Sequence, residues 1–260
     1  HAAVGLLWPL LEFLQALPGA HWRHGAPPWT LIPALVGMAW LLGPKGLPAR
    51  WLGLLLILPL LWPPRTEIPE GGFRLTLLDV GQGLAAVVRT RTHTLVYDTG
   101  PRFGPRFDAG EAAVVPYLRH VGRPRVDRLV ISHGDLDHAG GAASLGAHLP
   151  VTEVLSRDPS RFPGRACRAG QQWSWDGVRF QMLHPPPYWG EDNVSSCVLR
   201  VQGPGGSVLL PGDVEGLGQA VLLRRAAGAL KADVLVLPHH GAADALPAAF
   251  LEAVSPRLAL

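Results

Sequence analysis

The stretch Ser132-His133-Gly134-Asp135-Leu136-Asp137-His138-Ala139-Gly140-Gly141 decides how this chain is read. It places two imidazoles and two carboxylates within six residues, directly after the apolar run Arg128-Leu-Val-Ile131. That run reads as a buried strand, and Gly140-Gly141 with the Ala-rich sequence behind it reads as a helix start. The polar groups therefore share a strand-to-helix loop at the carboxyl end of a strand, where α/β folds usually place their chemistry. A single His or Asp in such a loop is ordinarily just solvated. The spacing H-x-D-x-D-H is different, because gathering these side chains without a cation would crowd negative charge. We read it as a metal-ligand loop.

Three further strand ends carry groups of the same kind. Tyr97-Asp98-Thr99-Gly100 closes on a carboxylate and a glycine turn, Leu209-Leu-Pro-Gly-Asp213 puts Asp213 past an apolar run, and Leu235-Val-Leu-Pro-His-His-Gly241 does so for His239 and His240. Taken singly, Asp98 reads as an Asx turn, Asp213 as a helix N-cap and the His pair as a solvated loop. Converged on one face, these ends would supply nitrogen and oxygen donors for two metal ions.

Short β-like runs begin at Phe73. They cover 74–79, 84–89, 94–98, 128–131, 153–155, 178–183, 197–201, 207–210 and 234–237. Helical spacing is read at 112–120, 142–148, 216–227 and 247–254. Hairpins alternate with helices, so the class is α/β (α+β) with two layers of sheet available, and there is no repeat at solenoid periods.

The chain has 260 residues, 48% hydrophobic and only 17% charged, with a formal net charge of +3. The mild basic bias is compatible with a polyanionic partner and equally with a solvated basic surface. The apolar residues are concentrated before Pro63. Leu6 to Leu17 reads as an amphipathic or interfacial helix, and His21, Trp22, Arg23 and His24 as a polar-aromatic turn at a membrane surface. Trp29 to Leu42 and Leu47 to Trp62 follow as two apolar runs, each shorter than the ~20 residues that cross a bilayer comfortably. Within the second run, Trp51 to Trp62 has no polar side chain on any face, which favours a transmembrane hairpin over a buried one. Lys45 and Arg50 in its loop would face the cytoplasm and put the domain after Trp62 outside; Arg65 opposes that placement. We thus expect residues 1–64 to be a membrane helical segment at the end of a larger channel domain, 65–72 a linker, and 73–260 a second domain. The start at His1 and the strand-like end Arg257-Leu-Ala-Leu260 lead us to expect a piece of a longer protein. Cys167 and Cys197 lack CxxC spacing, so they are either a disulfide or two buried thiols, and an extracytoplasmic location would favour the bridge.

With these residues in view, the ordered set Asp98, His133-x-Asp135-x-Asp137-His138, Asp213 and His240 resembles the metallo-β-lactamase superfamily, whose fold is a four-layer αββα sandwich. Leu78-Asp-Val-Gly-Gln-Gly83, Asp135 where most of the superfamily has His, and Pro238-His-His-Gly241 narrow this to a resemblance to the extracytoplasmic domain of the ComEC family of DNA-internalisation competence proteins. That family pairs the domain with a membrane channel. The resemblance implies two divalent metal ions. His133 and Asp135 would hold one, Asp137 and His138 the other, Asp213 would bridge them, and Asp98 would orient the ligands. His240, which directly precedes Gly241, fits the last ligand better than His239. Asn193-Val-Ser-Ser196 resembles the family's Asn-x-x-Ser, with His184 as an alternative ligand nearby. Ala242 stands where the family commonly shows Ser.

The resemblance implies a phosphodiesterase that degrades the non-transported DNA strand during uptake, with Asp137 and Asp98 central to catalysis. Replacing a His ligand by Asp135 makes the site harder, favouring Mn²⁺ over Zn²⁺, with Mg²⁺ possible. Single-stranded DNA, the lipid bilayer and other competence-machinery proteins are the implied partners. Arg102, Arg106 and Arg119 would contact phosphates unless they are merely a solvated basic face. Trp173, Trp175 and Tyr188 would stack bases unless they pack in the core. Two other readings fit the scaffold: a hydrolase of small lactones, thioesters or phosphonates, and a non-catalytic DNA-guiding module.

Overall fold

In a computed structural model, residues 7–9, 11–14, 28–44, 46–61, 67–187, 193–242 and 245–260 are described. The expectations placed on residues 21–24, Lys45, Pro63-Pro64, Arg65 and Tyr188 lie outside them. The chain divides into two compact units. One is residues 1–66 with Arg119–Gly122, the other 67–118 with 123–260.

In the first unit, two helices pack on one another: α1 (Leu31–Leu42) and α2 (Leu52–Leu61). They meet at glycines, since a Cβ on Gly37 would lie 2.4 Å from the Gly53 carbonyl oxygen. Their other faces leave Ile32, Leu35, Leu42 and Leu54 more than half exposed. Twelve and ten residues rise roughly 18 and 15 Å, short of a ~30 Å hydrocarbon core. Among the described residues no helix is long and apolar enough to cross a membrane, so the spanning hairpin expected from the sequence is not seen.

The second unit contains two six-stranded sheets. The first has strands β1 (Arg74–Leu77), β2 (Ala86–Arg89), β3 (Thr94–Tyr97), β6 (Val126–Ile131), β7 (Val151–Ser156) and β8 (Arg165–Ala166), in spatial order β1-β2-β3-β6-β7-β8. The second has β9 (Gln172–Trp175), β10 (Val178–His184), β11 (Val198–Gly203), β12 (Gly206–Leu210), β13 (Val234–Leu235) and β14 (Leu258–Ala259), in order β14-β13-β12-β11-β10-β9. A small hairpin, β4 (Arg102–Gly104) and β5 (Phe107–Asp108), stands apart from both. Helices α3 (Val115–His120, within this unit up to Leu118), α4 (Leu136–Ala139), α5 (Ala142–His148), α6 (Gly216–Leu230) and α7 (Ala248–Val254) complete the unit.

Strand alternation builds the layers. Ala86, Val88, Leu95 and Tyr97 of the first sheet face Phe180, Met182, Leu199, Val201, Val208 and Leu210 of the second in one core. Val87, Val96, Leu129 and Ile131 point the other way, against Val115, Leu118 and Leu145 of the helices. Likewise Val198, Leu209 and Leu235 turn outward to Leu222, Leu230, Phe250 and Val254. Both faces of each sheet are covered, which is why the central strands read as continuous apolar runs rather than alternating ones. The result is the helix–sheet–sheet–helix sandwich expected. Cys167 and Cys197 are joined as a disulfide between the β8 edge and the start of β11.

The sequence reading passed over β9. Its hairpin with β10 turns through Asp176-Gly177, both at positive φ (50° and 78°), the two-residue turn that Asp-Gly favours. Trp173 stacks on Phe180 with centroids 5.2 Å apart and lies beneath Arg128, and Trp175 packs edge-on to Phe180. These two tryptophans belong to the packing, not to an exposed stacking surface.

Asp176 also ties the two sheets together. Its carboxylate accepts from the Thr90 hydroxyl at 2.6 Å and from the Thr92 amide at 2.7 Å, across to the β2–β3 turn. Burial would raise its pKa, but these donors outweigh that and hold the carboxyl well below the usual range. A depressed carboxylate stabilises the fold fully above its unfolded pKa of about 4, and the contribution is lost progressively as pH falls from there through the lower folded pKa. Asp176→Ala should therefore cost about 2–3 kcal/mol at neutral pH, with only the smaller part of that cost gone at pH ~3, read by urea melts at the two pH values.

Candidate metal centre

Every donor of the site hangs from the carboxyl end of a strand. Asp98 follows β3, Ser132 and His133 follow β6, Asp213 follows β12, and the Pro238–Gly241 turn lies just beyond β13. Since β3 pairs with β6 in parallel, and β12 with β13, those ends open on the same side of each sheet.

Asp98 organises the first half. It is fully buried, holds φ at +57°, and is anchored by its amide to the Val130 carbonyl at 2.8 Å. Its carboxylate accepts from the Ser132 amide at 2.7 Å, the Ser132 hydroxyl at 2.7 Å and His138 Nδ1 at 2.8 Å. A carboxylate only accepts, so His138 carries its proton on Nδ1 here. Ser132, having given its proton to Asp98, accepts from His133 Nδ1 at 2.9 Å. Both imidazoles are thereby oriented so that Nε2 points away from this network.

Those Nε2 atoms meet the second half. His138 Nε2 lies 3.1 Å from Asp213 Oδ1 and 3.1 Å from His240 Nε2. His240 Nε2 is 3.2 Å from Asp137 Oδ2 and 3.4 Å from Asp213 Oδ2. His133 Nε2 faces Asp135 Oδ2 at 3.4 Å and Asp213 Oδ2 at 4.0 Å. Two sets of donor atoms fall within 4.8 Å of one another, His133/His138/Asp213 and Asp137/His138/His240. Asp135 is the exposed member beside the first set.

The donor set fits divalent cations. His133 Nε2 is buried without a hydrogen-bond partner, which is costly unless something positive faces it. Two imidazole nitrogens at 3.1 Å also need a proton or a cation between them. Without an ion the proton serves. Burial pulls the His138 imidazolium down, but Asp98 and Asp213 outweigh it and raise its pKa to about 10. Burial and the charge of His138 push His133 the other way, below its ordinary value. A cation would thus displace a proton from a site already shaped for positive charge.

The remaining sequence candidates stand around this centre. His239 turns to Glu215, with Nδ1 2.9 Å from Oε2, while His240 enters the ligand group. Both hold left-handed backbone, at φ +47° and +54°, so the two successive rings diverge. His184 is buried and gives its Nδ1 proton to the Ser196 carbonyl at 3.0 Å; burial lowers its pKa to about 4. His184 belongs to neither ligand group among the described residues. The Asn193–Cys197 turn reaches the site through its backbone, the Cys197 amide donating to the Ser132 carbonyl at 2.9 Å. Arg102 and Arg106 share the β4–β5 hairpin, and Arg119 lies on a separate element, α3. Ser132 and Glu215 were not singled out in the sequence.

Gly83 explains the Gly-Gln-Gly stretch. It sits at φ +126°, where a Cβ would come 2.2 Å from the Asp137 carbonyl oxygen, and the next amide, of Leu84, donates to that same oxygen at 3.1 Å. Gly83→Ala should displace the Asp137 backbone and weaken metal affinity by about 10–100-fold, read by isothermal titration with Mn²⁺.

A sandwich whose parallel strand ends converge His and Asp side chains on one ligand cluster defines a class of metal-dependent hydrolases, and comparison with known families agrees. The metallo-beta-lactamase superfamily model matches residues 78–260, and the chain belongs to that superfamily. Within it the chain is similar to Competence protein ComA of Neisseria gonorrhoeae, 38% identical over 237 residues, 90% of this chain and 33% of that protein. It is also similar to Recombination protein 2 of Haemophilus influenzae, 34% identical over 75% of this chain and 24% of that one. The resemblance to the ComEC family thus stands. The chain spans about a third or less of the length of these relatives. Among solved structures, a metallo-beta-lactamase of Cronobacter sakazakii shares 16% identity, with a TM-score of 0.46, covering 73% of this chain and 89% of its own.

Proposed function

We propose that this chain is the phosphodiesterase part of a membrane-anchored DNA-uptake protein, hydrolysing the DNA strand that is not transported. The observation that carries this is the pair of ligand groups that share His138, with Asp213 of the first lying 3.4 Å from His240 of the second and Asp135 beside them, three histidines and three aspartates in all. The competence and recombination names of the relatives supply the substrate class.

His133, Asp135 and Asp213 would hold one divalent cation, and Asp137, His138, His240 and Asp213 the second, since Asp98 leaves His138 only its Nε2 to offer. When bound, such a pair supplies Lewis acidity toward a phosphodiester and makes water a better nucleophile at neutral pH. The protein's own part is positional. Asp98 and Ser132 fix the two imidazoles, and Glu215 holds His239 aside so that His240 faces Asp137. Asp137, half-buried at the rim, is the carboxylate placed to orient an incoming water. Three carboxylates among the donors favour Mn²⁺, with Mg²⁺ or Zn²⁺ as substitutes. The Cys167–Cys197 disulfide supports an extracytoplasmic domain, and the exposed apolar helices α1 and α2 support association with the inner membrane and its competence machinery.

The test is to incubate the chain with end-labelled single-stranded DNA and Mn²⁺, Mg²⁺ or Zn²⁺. Metal-dependent cleavage, greatest with Mn²⁺ and abolished by Asp137→Ala, is the expected result. DNA retarded but intact would make the chain a guiding module, and DNA neither bound nor cut would point to a small-molecule hydrolase.

A further inference from the structure

The β4–β5 hairpin follows a segment, Asp98–Pro101, that lies against the metal loop. The Thr99 amide donates to the His138 carbonyl at 2.7 Å and the Gly141 amide to the Gly100 carbonyl at 3.2 Å. Gly140, one residue beyond α4, lies so close that a Cβ on it would be 2.4 Å from the Arg102 amide nitrogen. The segment Asp98–Arg102 therefore runs against the backbone that carries Asp137 and His138, and the very next residue is Phe103. The hairpin's base is closed by the Ala109 amide on the Pro101 carbonyl at 2.9 Å.

What it presents to water is unusual. Phe103 and Phe107 are each 57% exposed, and their rings stand side by side, centroids 5.4 Å apart and tilted by 31°. Arg102 folds back to give its guanidinium protons to the carbonyls of Gly104 (3.1 Å) and Pro105 (3.0 Å), stiffening the turn, while Arg106 is exposed at the tip. Isolated exposed apolar residues are ordinary, but a pair of rings on a stiffened, cation-flanked hairpin beside a metal centre is a surface that a ligand would complete. Aromatic faces combined with arginines suit a polyanion with flat apolar groups on every unit, which is single-stranded nucleic acid. A duplex keeps its bases stacked on each other and has no free faces to offer.

We propose that Phe103 and Phe107 form a platform on which unpaired bases stack, with Arg106 against the phosphates, so that the strand is fed as a single strand to the metal centre. This rests on the phosphodiesterase reading above and adds to it a preference for unpaired, base-bearing DNA without sequence selectivity.

Binding tests it apart from cleavage. In an Asp137→Ala background with Mn²⁺, fluorescence anisotropy compares a labelled oligothymidylate with an abasic oligomer of equal length and charge. The expected result is about 10–100-fold tighter binding of the oligothymidylate, a preference erased by Phe103→Ala/Phe107→Ala and restored by Phe103→Tyr/Phe107→Tyr. Arg106→Ala should weaken both oligomers alike and lower the salt dependence. Phe107→Trp should show fluorescence quenched by the oligothymidylate and not by the abasic strand. Equal affinity for the two oligomers, or a preference that survives the double alanine variant, would overturn the platform. Should the unmutated chain cleave DNA while that preference is absent, the platform alone falls. Should it neither bind nor cleave DNA, both readings fall.

Discussion

Asp213→Asn is expected to reduce metal-dependent hydrolysis of single-stranded DNA about 1,000-fold, roughly 4 kcal/mol of transition-state stabilisation. The reason is its position between the two halves of the centre. One carboxylate oxygen lies 3.1 Å from His138 Nε2 and the other 3.4 Å from His240 Nε2. Asparagine keeps the shape but turns one oxygen into an N–H donor and removes the charge, so two cations would lose their shared anion. Burial works against the Asp213 carboxylate, yet the three imidazoles keep its pKa below the ordinary value, so it is charged at neutral pH. Rates measured at saturating Mn²⁺ check this, and a loss smaller than about tenfold would mean that Asp213 does not join the halves.

Asp98→Ala should show the largest loss of stability, about 3–5 kcal/mol, together with a 10–100-fold loss of metal affinity. Its carboxylate is fully buried and satisfies three donors, two from Ser132 and one from His138. Alanine leaves those donors unmet in the core and tolerates the positive φ less well than Asp does. Asp98→Asn, which keeps one acceptor and fits the left-handed backbone, should be milder in stability than in metal affinity. Urea melts and Mn²⁺ titrations separate the two effects. A stability change under about 1 kcal/mol would show that the network is not built on this residue.

The sequence disclosed the local half of this architecture. His133, Asp135, Asp137 and His138 lie within one loop, so their spacing alone carries the chemistry. Asp213 and His240 were legible only as strand ends, and their meeting with His138 depends on how the two sheets face each other, which spacing does not encode. The choice between His239 and His240 turned on a left-handed pair of residues and on Glu215, a partner 24 positions away. Ser132 was hidden in plain view, because a serine before a histidine is unremarkable until Asp98 is folded against it. Asp176-Gly177 was a readable turn signal for the β9–β10 hairpin that the reading passed over. Trp173 and Trp175 pack because β9 is an edge strand whose half-buried face lies on Phe180 and Arg128. The apolar block suggested bilayer spans from composition, whereas among the described residues the helices there cover 12 and 10 residues.

Counting the metal bears most directly on all of this. After dialysis against Mn²⁺ and removal of free ion, elemental analysis of the chain should find about two ions per molecule, and anomalous scattering should place them about 3.5–4 Å apart, as paired metal sites require. Asp213→Asn and His240→Ala should each retain about one ion or fewer. A chain that binds no divalent ion, or holds two when both of those side chains are replaced, would contradict the centre described here.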